Sequence, residues 1–134
     1  MPVINAFNQK AVRIPVPFDR NIRVLLAPDT QDIVKGISIC HCIIPPGGRT
    51  DTHTHPGVEM MYIISGYGEA KMGDEMLELK PDVLLVAPPG VVHDIRNYSE
   101  ETMKFVPIFI PGENASAIYE RANKAAAMGV MNLK

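Results

Sequence analysis

No stretch of the sequence approaches the roughly 18 consecutive apolar residues that a membrane-spanning helix needs, and neither sign of charge dominates it. Thirteen lysines and arginines stand against fifteen aspartates and glutamates, a formal net charge of −2. That balance leaves no basic footprint for nucleic acid and no polybasic patch for a membrane surface. The opening residues, MPVINAFNQKAVRIPVPF, lack the basic region and apolar core of a secretory signal. Cysteine is scarce, with only Cys40 and Cys42. Residues two apart on one strand share a face but rarely suit a disulfide. A reduced, cytoplasmic protein is the expectation. Low-complexity segments and internal repeats are absent, and so are the GxSxG, P-loop, GxGxxG and CxxC motifs.

What the chain does contain suits one domain over residues 1–134 with a real core, since 46% of it is hydrophobic. Twelve prolines and ten glycines cut it into short pieces, a β pattern rather than a helical one. Strands are expected at 22–28, 36–44, 58–66, 68–72, 75–79, 82–88 and 103–110. Turn chemistry separates them, including a hairpin tip at Gly73-Asp74. Such spacing predicts an all-β sandwich or closed barrel, with its core over about 22–111. Only the tail differs. ENASAIYERANKAAAMG predicts one amphipathic helix over about 114–128, with Asn114 or Ser116 as N-cap and Gly129 just past its end. Ile118, Ala122, Ala125 and Met128 fall near one face of it.

Two of the four histidines sit in HTHPGVE, residues 53–59. Strand alternation points His53 and His55 to the same side. Pro56-Gly57 permits a turn, and Glu59 opens the next strand. Imidazole and carboxylate together suit Mn, Fe, Co, Ni, Cu or Zn. His93 follows the PPG turn at 88–90 and completes a His3Glu set if its strand lies alongside. A lone HxH also occurs on ordinary exposed strands, so the surrounding pattern decides.

That pattern is Gly47, five residues, His53, one residue, His55, three residues, Glu59, six residues, Gly66. It resembles the first motif of the cupin superfamily. Pro88, Gly90, His93 and Asn97 match the second motif. Its leading glycine is replaced by Asp82, a residue tolerated in turns. The resemblance covers 47–97 and, more loosely, the flanking strands and final helix, as in small single-domain cupins. It implies a double-stranded β-helix, a jelly-roll barrel, holding one divalent transition metal (Mn, Fe, Ni or Zn) on His53, His55, Glu59 and His93. It gives Gly47, Gly66 and Gly90 the turns around the ligand strands. It also implies a pocket lined by Cys40, Cys42, Met61, Ile63, Val106 and Ile108, and a homodimer that pairs through barrel faces and an N-terminal edge strand.

His41 points opposite to Cys40 and Cys42 and is expected on the outer face, as a structural histidine or toward a partner subunit. The two cysteines are small buried hydrophobes or thiols near the metal. Arg49, Asp51, Tyr67 and Arg96 are candidate polar contacts, and Asp94 is expected to face away from the metal. Two function classes follow. One is a metalloenzyme acting on a small organic molecule by oxygenase, isomerase or lyase chemistry, with Glu59 moving protons. The other is a non-catalytic module that binds a sugar or effector. The complete ligand set favours the enzyme, since buried polar groups are costly to keep.

Overall fold

The computed structural model describes residues 3–132, with side chains through residue 128. A 3-10 turn at Ala6–Asn8 precedes β1 (Ala11–Ile14), β2 (Arg20–Leu26), β3 (Ser38–Ile44), β4 (Val58–Ser65), β5 (Gly68–Met72), β6 (Glu75–Leu79), β7 (Leu84–Ala87), β8 (His93–Arg96), β9 (Met103–Ile110) and α1 (Ala115–Asn132). The strands form two antiparallel sheets. A six-stranded sheet runs β1-β2-β3-β9-β4-β7 and a three-stranded one runs β6-β5-β8. The last strand thus inserts between β3 and β4. This is the jelly-roll barrel with one C-terminal helix.

The seven expected strands all form, with ends within two residues of their expected bounds. The β5–β6 hairpin pairs Met72 with Glu75 across Gly73-Asp74, the two-residue loop expected there. β1 pairs with β2 of its own chain as an added edge strand. The two sheets close over Ile44, Met61, Ile63, Leu79, Ile95 and Phe105. Each such side chain, fully buried, contributes about 1.5–3 kcal/mol, so this layer dominates the barrel's stability.

Register decides what faces inward. Glu59 pairs with Phe109, Met61 with Pro107 and Ile63 with Phe105. Directly opposed residues share a face, so Phe105, Pro107 and Phe109 point into the barrel. Val106 and Ile108 carry the opposite parity and lie on the outer face. Their expected place in the pocket is therefore corrected.

Gly66 ends β4 at φ +87, where a Cβ would meet the Met103 Cα at 2.6 Å. Only glycine allows that crossing. Asp82 stands at φ 72, which explains why a glycine suits this position. Aspartate tolerates the left-handed region, and its Oδ1 accepts a hydrogen bond from Tyr62 Oη at 2.7 Å.

The helix begins where Asn114 predicts, its carbonyl accepting from the Ala117 and Ile118 N–H groups at 3.1 Å. The side-chain cap comes from elsewhere. Asp29, on the β2–β3 connection, accepts from Ala115 N at 2.7 Å. That backbone bond is the main reason its carboxyl sits below the usual range. The helix does not stop at Gly129 but continues to Asn132. Ile118 and Ala122 pack down onto the large sheet. Tyr119 Oη accepts from Val24 N at 3.1 Å and donates to the Lys10 carbonyl at 2.9 Å, which fastens α1 beside the end of β1.

Candidate metal centre

The segment after β3 runs back along β8 as an irregular strand. Thr50 N donates to the Ile95 carbonyl at 2.8 Å, and His53 and His93 exchange backbone bonds at 3.1 and 2.9 Å. His53 is thereby placed beside His93, forty residues later in the chain. Glu59 enters from the neighbouring β4. His53, His55, Glu59 and His93 bring one ligand atom each to within 4.8 Å of one another.

Backbone carbonyls aim two of the rings. His53 Nδ1 lies 2.7 Å from the Asp51 carbonyl, and His93 Nδ1 lies 2.9 Å from that of Val91. Each Nε2 is then free to face the centre, the arrangement that metal-ligating histidines use. His93 Nε2 lies 2.9 Å from Glu59 Oε1. Acceptors thus face both nitrogens of the His93 ring, which favours its protonated form. Burial works to lower its pKa, but the Glu59 contact and the Val91 carbonyl override it, and the net shift is upward. Burial likewise pushes the Glu59 carboxyl up, yet the three imidazoles around it outweigh burial and hold it well below the usual range.

His55 is different. Its Nε2 lies 3.0 Å from Glu59 Oε1 but outside hydrogen-bond geometry, and it is buried with no hydrogen-bond partner. An orphaned buried nitrogen is costly unless its lone pair is taken. Three imidazoles and a carboxylate, with that one lone pair unclaimed, fit a divalent transition metal.

The group lies on the wall of a cavity of about 250 Å³. Cys40, Cys42 and Met61 line it. Ile63 does not; it lies deeper, in the layer between the sheets. Phe105, Pro107 and Phe109 supply the β9 wall. Both thiols are free, and burial pushes Cys42 up to about 12 and Cys40 well above its ordinary value. Both line the cavity in their thiol form.

Of the polar candidates, Asp51 alone reaches the cavity. Arg49 and Arg96 instead grip Asp94 at 3.6 and 3.1 Å, and Thr52 Oγ1 donates to it at 2.8 Å. Asp94 is fully buried in this cluster, on the opposite side of β8 from the ligands. Tyr67 is exposed. His41 lies on the outer face of β3, with Phe7 of its own chain edge-on at 5.8 Å.

Three cationic side chains of the cavity, Arg20, Arg121 and Lys124, lie outside the sequence reading. Arg20 is buried, with Nη2 donating to Asp51 Oδ1 at 2.6 Å and Nη1 to the Phe18 carbonyl at 2.9 Å. It shares parity with Ile22 and Val24, so extending that strand by two residues would have found it. Arg121 reaches the cavity from α1.

The Cupin domain family model matches residues 40–109, just over half of the chain. An uncharacterised protein of Methanocaldococcus jannaschii is 33% identical over 88 residues, covering 63% of this chain and 68% of its own. The polyketide synthase CurC of Streptomyces cyaneus is 31% identical over 87 residues, covering 64% of this chain; the match spans 56% of its length. Among solved structures, a predicted oxalate decarboxylase from Thermotoga maritima superposes with a TM-score of 0.71 at 19% identity, over 81% of this chain and 98% of that one. The polyketide cyclase RemF from Streptomyces resistomycificus gives 0.69 at 23% identity, over 86% and 85%.

Proposed function

The chain belongs to the cupin family, and from that premise we propose that it is a metal-dependent enzyme acting on a small, largely apolar organic molecule. The carrying observation is the convergence of three histidine nitrogens and one carboxylate oxygen on the wall of an apolar cavity. His53, His55, Glu59 and His93 would hold one divalent ion, of Mn, Fe, Ni or Zn. When bound, such an ion supplies Lewis acidity to an oxygen of the substrate.

The chain's own residues do the rest. Met61, Phe105 and Phe109 hold a ring or chain and exclude water. Glu59, held ionised among the imidazoles, would take and return a proton only once displaced from the ion. Arg20, fixed by Phe18 and ion-paired with Asp51, adds a buried guanidinium to the cavity wall. The apolar wall favours a polyketide-like substrate, in line with the names of CurC and RemF. Oxalate would leave most of that wall without a partner. The reaction class is oxygenase, isomerase or lyase.

A homodimer is part of this reading. Tyr62, Ile64, Leu84 and Val86 are all large, apolar and exposed. They adjoin across the β4–β7 ladder, where Tyr62 pairs with Leu84. A contiguous apolar face of this kind suits a second copy of itself.

Elemental analysis of purified protein tests the proposal. It is expected to find close to one transition metal per chain, lost in a His53→Ala/His55→Ala variant. Protein that takes up no metal under any loading would overturn it. With metal bound, ring-closure and oxygen-uptake assays on aromatic polyketide substrates should give turnover. Tight binding without turnover on every substrate would favour the non-catalytic module instead.

A further inference from the structure

We propose that Glu113 is a positioning residue for His55 and that Arg121 competes with that histidine for it; the inference rests on the metal-binding reading above. The three histidines are not held alike. His53 and His93 lean on nearby backbone carbonyls. His55 Nδ1 instead faces a carboxylate, Glu113 Oε1, at 3.9 Å. That is too long for a hydrogen bond. The other oxygen of the same carboxylate accepts from Arg121 Nη1 at 2.6 Å. The Glu113 backbone is fixed, since its carbonyl accepts from the buried Ser38 hydroxyl. Only its side chain is shared between the two claimants.

A histidine that gives Nε2 to a metal binds best when its Nδ1–H has an acceptor, and a carboxylate acceptor also raises its basicity. Arg121 holds that acceptor back. Arg121 also lines the cavity, where an anionic group on a ligand would meet it. A ligand that takes Arg121 releases Glu113 to His55 and tightens the metal. By reciprocity, bound metal tightens the anionic ligand. Glu113 and Arg121 both lie outside the residues matched by the family model, so this link comes from the chain's own helix and the segment leading into it.

The test compares cobalt and zinc affinity in wild type, Glu113→Gln, Arg121→Gln and Arg121→Lys, each stripped of metal and titrated against a competing indicator. Glu113→Gln is expected to weaken metal binding, by less than the roughly 10- to 100-fold that losing an already engaged partner costs, and to shift the visible spectrum of the cobalt form. Arg121→Gln should tighten binding, and Arg121→Lys should stay near wild type. The two glutamine variants break the same ion pair, so a merely structural role would move both in one direction. Equal shifts, or an Arg121→Gln protein that binds no tighter than wild type, would overturn the proposal. Melting curves of the metal-free proteins check that each variant folds. A wild type that takes up no metal overturns the reading beneath, which is a separate outcome.

Discussion

Glu59 has to keep its charge in a place whose dryness works against it, and the neighbouring imidazoles are what permit this. Stability should follow pH accordingly in the metal-free protein. The Glu59 carboxyl titrates below its ordinary 4.5, so its contribution is present above 4.5 and lost as pH falls through the depressed value. His93 titrates above its ordinary 6.5, so its contribution is present below 6.5 and lost as pH rises through the raised value. Urea unfolding is expected to show greatest stability between those values, declining on both sides. Bound metal replaces the His93 proton and should remove the alkaline decline; a decline of equal size with metal bound would count against His93 as a ligand. Asn97 acts through structure alone. Its amide donates to the carbonyls of Ile44, Pro45 and Glu101 at 3.0, 3.2 and 2.7 Å. Asn97→Ala leaves buried acceptors unmet and should cost about 3 kcal/mol, read by urea unfolding, with metal content unchanged.

At the scale of the element, α1 depends on a residue far away in sequence. Asp29→Ala removes the acceptor from its first N–H groups. The first turn should then lose hydrogen-exchange protection, and Tm should fall by a few degrees. Unchanged protection at Ala115 and Ser116 would show that the cap is idle. No local pattern marks Asp29, because capping by a distant loop leaves no trace in the helix sequence. The four candidate ligands were legible for the opposite reason. His53, His55 and Glu59 are fixed by alternation and one turn within seven residues, and His93 by a second motif of equal regularity. β9 lies between these cases. Both faces of MKFVPIFI are apolar, so hydropathy alone does not choose between them. Lys104 carried the answer, since it shares parity with Val106 and Ile108 and so marks the outer face. Gly129 misled because a helix with enough packing behind it tolerates an interior glycine at about 1 kcal/mol.

The molecule as a whole carries an apolar face on β4 and β7 whose exposure asks for a partner. Leu84→Glu in a chain that otherwise pairs should give a monomer in sedimentation at micromolar concentration, with metal content retained. A wild type already monomeric there would remove the dimer from the functional reading. The cavity, too, has two origins within one chain. All four candidate ligands lie between residues 53 and 93, inside the stretch matched by the family model. Arg20, Ile22, Ile118 and Arg121, which also border the cavity, lie outside that stretch. The cavity wall is therefore completed from both sides of the matched stretch, and substitutions at those four positions would reshape it without touching the histidines or Glu59.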